Sequence, residues 1–310
     1  MIKKTLFPIA LAALLLACVG ARAEYKPHAE RVSENVFAIV GPLGQRSPDN
    51  DGLNATFGFV VTPSGVILID SGASRLGAEK LAQAIRAVTE QPVRWVVNTG
   101  SQDHRWLGND SFARQGAQII AMRRTAASQA QLAKQHMQGL EQLLGKRLQG
   151  TTPLPATSVK DGNVATLELG GETLSLQYTD AHFPGDTMVF LPKRGVVFTG
   201  DLVYVDRLLA VLPMSNVTKG QRAFKAMAAL KPKHVVPGHG RVCDLAKAQH
   251  ETGDYYDFLV NIIGAAAKEM EAMDGVIDRH ADLPAFRHLE NYDALHRANM
   301  NRAFTELESQ

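Results

Sequence analysis

Short apolar runs and longer amphipathic stretches alternate along the chain. The short runs are rich in β-branched residues, are bounded by Gly, Pro and Ser, and predict two β-hairpins, over residues 56–70 and 188–198. Both hairpins end in an acid, in G-V-I-L-I-D at Asp70 and in G-V-V-F-T-G-D at Asp201. A carboxylate therefore follows each of two buried strands.

The alternation continues through both halves of the chain. Further strands are predicted at residues 31–41, 93–97, 119–122, 162–178 (two strands) and 235–236, and helices at 77–89, 109–115, 124–148, 219–230, 246–273 and 292–307. A Gly/Pro/Asn-rich stretch, 41–54, predicts a long loop that overhangs a site. A Pro/Thr linker at 151–157 separates the two halves. This order of elements favours a layered α/β fold.

The N-terminus has the pattern of a secretory signal peptide. Lys3 and Lys4 precede an apolar run at residues 6–19, which is shorter than a membrane-spanning helix requires, and a small-x-small pattern ends at Ala23. We expect cleavage after Ala23 and a periplasmic or secreted protein without an integral membrane span. A lipobox-like sequence ending at Cys18 gives a lipid anchor on that cysteine as the alternative.

The composition is that of a soluble globular protein, with 310 residues of which 45% are hydrophobic. Removal of the signal peptide, residues 1–23, takes away three basic residues and no acid, so the formal charge changes from +2 to −1. A nearly neutral chain offers no basic surface for nucleic acid. Cys243 is then the only cysteine, so no internal disulfide can form.

The hairpin at residues 188–198 is flanked by residues that bind metal ions in other proteins. His182 precedes its first strand and Asp201 follows its second, so the hairpin brings both to one end of a sheet. A second histidine, His239, follows another short strand in H-V-V-P-G-H-G. In the alternative interpretation, His182 caps a turn and Asp201 caps a helix.

Three such groups after separate strands can converge at one sheet edge. Imidazole and carboxylate ligands suit zinc, and also iron or manganese. A fourth ligand would come from the loop at residues 98–109, which offers Asp103 and His104.

The chain resembles the metallo-β-lactamase superfamily over nearly its whole length after the signal peptide. The matching motifs, in the family's order, are I-D-S-G at 69–72, the N-T loop ending in G-N at 98–109, A-H-F-P-G-D at 181–186, T-G-D at 199–201 and P-G-H-G at 237–240. The resemblance implies a four-layer αββα sandwich formed by residues 24–310 and ending in a helical extension. It also implies that His182 binds a first metal ion, that Asp201 bridges two ions, and that His239 binds the second.

One loop departs from the family pattern. The family reads N-T-H-x-H-x-D-H-x-x-G-N, whereas residues 98–109 read N-T-G-S-Q-D-H-R-W-L-G-N. Gly100 and Gln102 stand where two histidines are expected. In the same register His104 replaces the aspartate and Arg105 replaces the last histidine, whereas a slip of one residue would preserve an Asp-His pair.

This departure leads us to predict one zinc ion rather than two, with iron as the alternative. The predicted ligands are His104, Asp201, His239 and, as a fourth ligand or as a hydrogen-bond donor to the substrate, His182. Asp103 is the candidate general base or water-orienting group. Arg105 is expected to supply positive charge against a carboxylate or a developing oxyanion, or else to form a surface salt bridge.

The leading functional prediction is an exported metal-dependent hydrolase. Metal-bound hydroxide would attack a small-molecule ester, thioester, lactone or amide. A β-lactamase is disfavoured because the histidine pair of the first zinc is missing. Within the superfamily, the spacing and the C-terminal E-N-Y-D-A-L-H-R-A-N look closest to periplasmic members associated with quinoprotein or sulfur-oxidation systems. The alternatives are a mononuclear iron oxygenase acting on a thiol or persulfide through His104, His182 and Asp201, and a non-catalytic binding protein with the same scaffold.

Overall fold

Two β-sheets form the centre of the molecule in the computed structural model, which describes residues 25–309. The first sheet contains seven strands in chain order: β1 (Ala29–Ser33), β2 (Val36–Ile39), β3 (Phe57–Thr62), β4 (Gly65–Ile69), β5 (Val93–Val97), β6 (Gln118–Met122) and β7 (Ser158–Lys160). The second has the order β12-β11-β10-β9-β8, formed by β8 (Val164–Leu169), β9 (Glu172–Tyr178), β10 (Thr187–Leu191), β11 (Val196–Phe198) and β12 (His234–Val236). The pairs from β4 to β7 and the pair β11–β12 are parallel, and the other pairs are antiparallel.

Helices cover the outer face of each sheet. They are α1 (Arg75–Arg86), α2 (Asp103–Trp106), α3 (Asn109–Ala113), α4 (Arg123–Leu144), α5 (Val217–Ala229), α6 (Leu245–Ala248), α7 (Asp254–Asp257), α8 (Gly264–Lys268), α9 (Met273–Arg279) and α10 (Tyr292–Glu308). Two π-helical stretches, Gln249–Gly253 and Phe258–Ile263, join α6, α7 and α8 into one continuous helical segment. None of the helices in the described part of the chain is both long and apolar enough to span a membrane.

The side chains of β4 show how the layers pack. Val66 and Leu68 belong to the core between the first sheet and α1, whereas Ile67 and Ile69 belong to the core between the two sheets. A strand buried on both faces needs apolar residues at every position, which explains the uninterrupted run at Val66 to Ile69. A third core packs the second sheet against α5, the segment from α6 to α8, and α10. The predicted αββα sandwich is therefore confirmed.

Most predicted elements are present, including both hairpins. Residues 31–41, predicted as one strand, instead form β1 and β2, because Asn35 adopts a left-handed conformation (φ 59°) that allows a tight turn. The helix predicted at 246–273 ends at Lys268, and Met270 is also left-handed (φ 56°). Strand β7 was not predicted, since three residues are too few to show a period. The predicted signal peptide and Cys18 lie outside the described residues.

The double burial of β4 predicts a large stability effect at its centre. Leu68 has no exposed surface, so we expect Leu68→Ala to lower the free energy of unfolding by about 2–5 kcal/mol through lost burial and a residual cavity. Denaturant unfolding measures this difference. Val164→Ala is the control, because Val164 is 61% exposed and should change stability little; an equal loss in the two variants would contradict the layer assignment.

Candidate metal centre

Three of the predicted ligands meet at the edge where the two sheets end. His104 lies on α2 after β5, Asp201 follows β11, and His239 follows β12. One ligand atom from each residue lies within 4.8 Å of the other two, and all three side chains are buried. The loop from residue 41 to 56 contacts this cluster through Asn54, as the sequence predicted for an overhanging loop.

The orientation of His239 leaves one ring nitrogen without a hydrogen bond. Its Nδ1 lies 2.9 Å from the carbonyl oxygen of Asn54, which only accepts, so Nδ1 carries the proton and donates. Nε2 therefore presents a lone pair; it lies 3.1 Å from Asp201 Oδ1 and makes no hydrogen bond. Burial lowers the pKa of His239 to about 3, so the ring is neutral near pH 7. The lone pair of His239 Nε2 and the carboxylate oxygen of Asp201 repel each other at this distance. A cation bound to both atoms would remove this repulsion.

His104 completes a donor set of two imidazoles and one carboxylate. Its Nε2 lies 3.1 Å from Asp201 Oδ2, and its backbone N–H donates to Asp103 Oδ1 at 2.7 Å. Burial alone would raise the pKa of Asp201, but the charge of Arg105 and the contact with His104 hold it well below its usual value. The residues present therefore fit a divalent ion that prefers nitrogen and oxygen ligands, such as zinc.

The guanidinium of Arg105 lies directly behind Asp201. Its Nε and Nη2 donate to Asp201 Oδ2 and Oδ1 at 3.0 and 2.6 Å, and its Nη1 donates to Asp70 Oδ2 at 3.1 Å. Nη1 and Nη2 also donate to the carbonyl oxygens of Thr56 and Gly238 at 3.2 and 3.0 Å. All five N–H donors of the guanidinium are thus used.

This geometry decides between the roles predicted for Arg105. The side chain of Arg105 is 1% exposed, so the alternative prediction of a surface salt bridge is wrong. No N–H remains for a developing oxyanion, so its charge acts on carboxylates instead. Both His104 and Arg105 contact Asp201, as expected if they occupy the positions of the family's aspartate and last histidine without a slip in register.

Asp70 anchors the same arrangement from the first sheet. Its carboxylate accepts hydrogen bonds from the backbone N–H and the hydroxyl of Thr99, at 2.7 and 2.6 Å, besides the one from Arg105. The two acids that end the two hairpins, Asp70 and Asp201, are therefore held on one guanidinium. The two hairpins end in similar sequences, and in the fold the acids at those ends bind the same arginine.

Asp103 faces the overhanging loop rather than Asp201. Its Oδ1 accepts a hydrogen bond from Arg46 Nη1 at 2.5 Å, within an ion pair that is largely buried on the Asp103 side. Burial would raise the pKa of Asp103, but the charge of Arg46 and the contact with His104 outweigh it and hold the pKa far below its usual value. A carboxylate with so low a pKa is a weak general base and a good hydrogen-bond acceptor.

His182 is buried near the cluster but is not a member of it. Its Nε2 lies 3.3 Å from the hydroxyl of Tyr204, and burial lowers the pKa of His182 to about 4. The ring of Tyr204 stacks on His239 with centroids 4.4 Å apart. Tyr204 therefore links the two histidines. The sequence-based prediction missed Tyr204, although an aromatic residue three positions after Asp201 was a signal that could have been used.

The space around Gly100 is restricted by a neighbouring acid. A Cβ atom built on Gly100 would lie 2.9 Å from Asp186 Oδ1, closer than side-chain packing allows. Asp186 is itself buried, and burial raises its pKa well above the usual value. A histidine at position 100 therefore requires Asp186 to move. Gln102 presents a buried Oε1 without a hydrogen-bond partner among the described residues.

Comparison with known proteins identifies relatives of this fold. A family model described as the metallo-beta-lactamase superfamily matches residues 50–239. The metallo-beta-lactamase from Pontibacter korlensis is similar in structure, with 21% sequence identity, a TM-score of 0.59, and coverage of 74% of this chain and 99% of the other. The stereoselective inverting sec-alkylsulfatase Pisa1 from Pseudomonas sp. is similar at 16% identity and a TM-score of 0.69, over 90% of this chain and 50% of the other. No curated protein matches in a sequence search.

The saturated contacts of Arg105 predict a strong effect of its removal. Arg105→Met leaves two buried carboxylates without their cation, and we expect a loss of about 3–5 kcal/mol in the free energy of unfolding. Arg105→Lys keeps the positive charge but loses the paired hydrogen bonds, so its free energy of unfolding should lie between those of the wild type and Arg105→Met. Urea unfolding in chelator measures both. Arg123→Met, which breaks an exposed pair with Asp161, is the control, and a loss no larger than in this control would contradict the assignment.

The buried position of His182 predicts a pH dependence of stability. Its pKa of about 4 lies below the ordinary value of 6.5, so the unfolded chain binds more protons between these pH values. The free energy of unfolding should therefore fall as the pH drops from 6.5 to 4, by up to about 1.4 kcal/mol per pH unit from this residue. Urea unfolding across this range should show a shallower slope for His182→Gln than for the wild type; equal slopes would contradict the prediction.

Proposed function

The chain belongs to the metallo-β-lactamase superfamily, and from this premise we propose that it is an exported metal-dependent hydrolase of small molecules. The observation that carries the proposal is the pair formed by His239 Nε2 and Asp201 Oδ1, which lie 3.1 Å apart with no hydrogen bond between them. A buried lone pair that faces a carboxylate is costly unless a cation lies between them. His104 supplies the third ligand.

A divalent ion at this position would polarise the substrate and generate a hydroxide nucleophile near neutral pH. His104, Asp201 and His239 would hold it. Arg105 fixes both oxygens of Asp201 in place, so the ligand geometry exists before the ion binds. Asn54 fixes the tautomer of His239 in the same way, through the hydrogen bond to Nδ1.

The remaining polar groups are suited to binding and orientation. Asp103 is an acceptor for a water proton rather than a proton carrier, because Arg46 holds its pKa far below neutral. His182 is neutral near pH 7, since burial lowers its pKa to about 4, and its Nε2 reaches the hydroxyl of Tyr204. We assign His182 and Tyr204 to contact with the substrate rather than with the ion.

One ion is favoured over two for a steric and an electrostatic reason. Gly100 and Gln102 replace two imidazole ligands, and a side chain at position 100 would require the carboxylate of Asp186 to move. Arg105 already places a full positive charge on Asp201. A second divalent ion on the same carboxylate would face this charge at close range.

The proposed substrates are compounds with an ester, thioester, lactone or amide bond. The structural relatives include proteins titled as a metallo-beta-lactamase and as a sec-alkylsulfatase, which supports hydrolysis as the reaction class. We propose zinc as the ion, because two imidazoles and a carboxylate are typical zinc ligands. The N-terminal leader pattern supports a periplasmic or secreted location, with a lipid on Cys18 as the alternative.

Metal analysis of matched variants tests this proposal. Asp201→Asn and Asp161→Asn each neutralise one carboxylate paired with an arginine, but only Asp201 belongs to the cluster. Elemental analysis should find about one zinc per chain in the wild type and in Asp161→Asn, and at least a tenfold lower occupancy in Asp201→Asn and in His239→Gln. Iron in the wild type would favour the oxygenase, and a metal-free wild type or full occupancy in all variants would contradict the proposed ligand set.

A further inference from the structure

Three lysine or arginine side chains are buried in the described part of the chain, and one of them has no acidic partner. Lys80 forms an ion pair with Asp51, and Arg105 binds Asp70 and Asp201. Arg207 is 3% exposed and forms no direct ion pair with a described carboxylate, and the charges of Asp201 and Glu290 act on it only from a longer distance. Buried charges are normally paired, so this residue needs an explanation.

The internal contacts of Arg207 do not satisfy its donors. Nη1 lies 3.5 Å from the carbonyl oxygen of Gly44, at the limit of a hydrogen bond. It lies equally far from His239 Nδ1, but that nitrogen already donates to Asn54 and cannot accept. Nε is buried and has no partner among the described residues. The ring of Tyr204, 5.7 Å from the guanidinium carbon, compensates only part of the charge.

The position of Arg207 places this unpaired charge beside the candidate metal centre. It contacts the ring of His239 and the ring of Tyr204, and Tyr204 in turn reaches His182. The overhanging loop covers it through Gly44. Asn54 of the same loop also has a buried Oδ1 without a hydrogen-bond partner in the described chain. Several polar groups around one centre are thus left incomplete, as in a site that is completed by its ligand.

The charges at the centre indicate the sign of that ligand. Three guanidinium groups, Arg46, Arg105 and Arg207, equal in number the three carboxylates Asp70, Asp103 and Asp201, while burial raises the pKa of a fourth nearby acid, Asp186, well above its usual value. A divalent ion adds two positive charges that these side chains do not neutralise. A neutral substrate would leave this excess in a buried site of low dielectric, whereas an anionic substrate would reduce it.

We propose that Arg207 recognises an oxyanion group of the substrate, which is a carboxylate, a sulfate or a phosphate. The free donors of a guanidinium suit two oxygen atoms of such a group. The inference rests on the proposed function for the reaction at the neighbouring metal centre, but recognition of the anion itself does not require the ion. The substrate class is accordingly an anionic ester, thioester, lactone or amide.

Anion binding to the purified full-length protein tests this inference. Thermal unfolding midpoints are recorded in increasing sulfate, phosphate or acetate, against chloride at the same ionic strength, for metal-free and zinc-loaded protein. We expect at least one oxyanion to raise the midpoint of the wild type in a saturable way that chloride does not reproduce. Arg207→Met should weaken the apparent affinity at least tenfold, and Arg207→Lys should restore part of it.

Two controls separate recognition from a structural role. Arg194→Met removes an arginine that is paired with Glu172 and Glu34, and it should keep the wild-type response to anions. In chloride, Arg207→Met should unfold at the same or a higher temperature than the wild type, because an unpaired buried charge is removed. A clear decrease would show that Arg207 stabilises the ligand-free fold, and would overturn the inference.

The remaining outcomes distinguish this inference from the proposed function. A wild type that responds to none of the oxyanions, or an Arg207→Met variant with wild-type affinity, overturns the role of Arg207. Elemental analysis of the same samples should show equal metal in the wild type and in Arg207→Met. If neither binds metal but the anion response still depends on Arg207, the anion site stands and the proposed metal-dependent function fails.

Discussion

The ion pair of Arg105 with Asp70 and Asp201 is the interaction on which the candidate centre depends. One guanidinium receives a carboxylate from the end of β4 and another from the end of β11, together with carbonyl oxygens from the loop at Thr56 and from Gly238 after β12. It therefore joins both sheets and the overhanging loop at the edge where the ligands meet. Every donor is used and the group is fully buried, so few other arrangements of this edge satisfy it.

The same contact shapes the chemistry of the centre. Because Arg105 holds Asp201 in its ionised form, the carboxylate is ready to bind a cation without first losing a proton. The arginine also places a permanent charge in a region where the family pattern has a histidine. With the proposed single metal ion bound, the centre would combine a fixed organic cation with a metal cation.

Two buried arginines near the centre illustrate opposite physical situations. Arg105 has five acceptor atoms, three of which belong to two carboxylates, and its position is explained by the folded chain alone. Arg207 has one marginal acceptor and no carboxylate within ion-pair distance in the described chain, and a ligand would explain its position. The contrast arises from the neighbours of each side chain, since the two residues are chemically identical. Arg105 stabilises the folded chain, whereas the role we propose for Arg207 is substrate recognition.

The sequence by itself determined the layered fold and the approximate place of the centre. Period-two and helical patterns are local properties of the chain, so they identified the hairpins ending at Asp70 and Asp201 and most of the helices. Motif order and the altered loop at residues 98–109 then indicated His104, His182, Asp201 and His239 as neighbours, and His182 lies outside the cluster that the other three form. Short elements such as β7 and the turn at Asn35 contain too few residues to show a period, so the sequence did not predict them.

The tertiary structure alone decided which partner each charged side chain has. Arg105 binds Asp201 across 96 positions of sequence, and Asp103 is paired with Arg46 across 57. Such pairings depend on where distant strands and loops meet, and no local pattern encodes them. For the same reason the lack of a carboxylate partner for Arg207, and the free lone pair of His239, became visible only once the chain was folded.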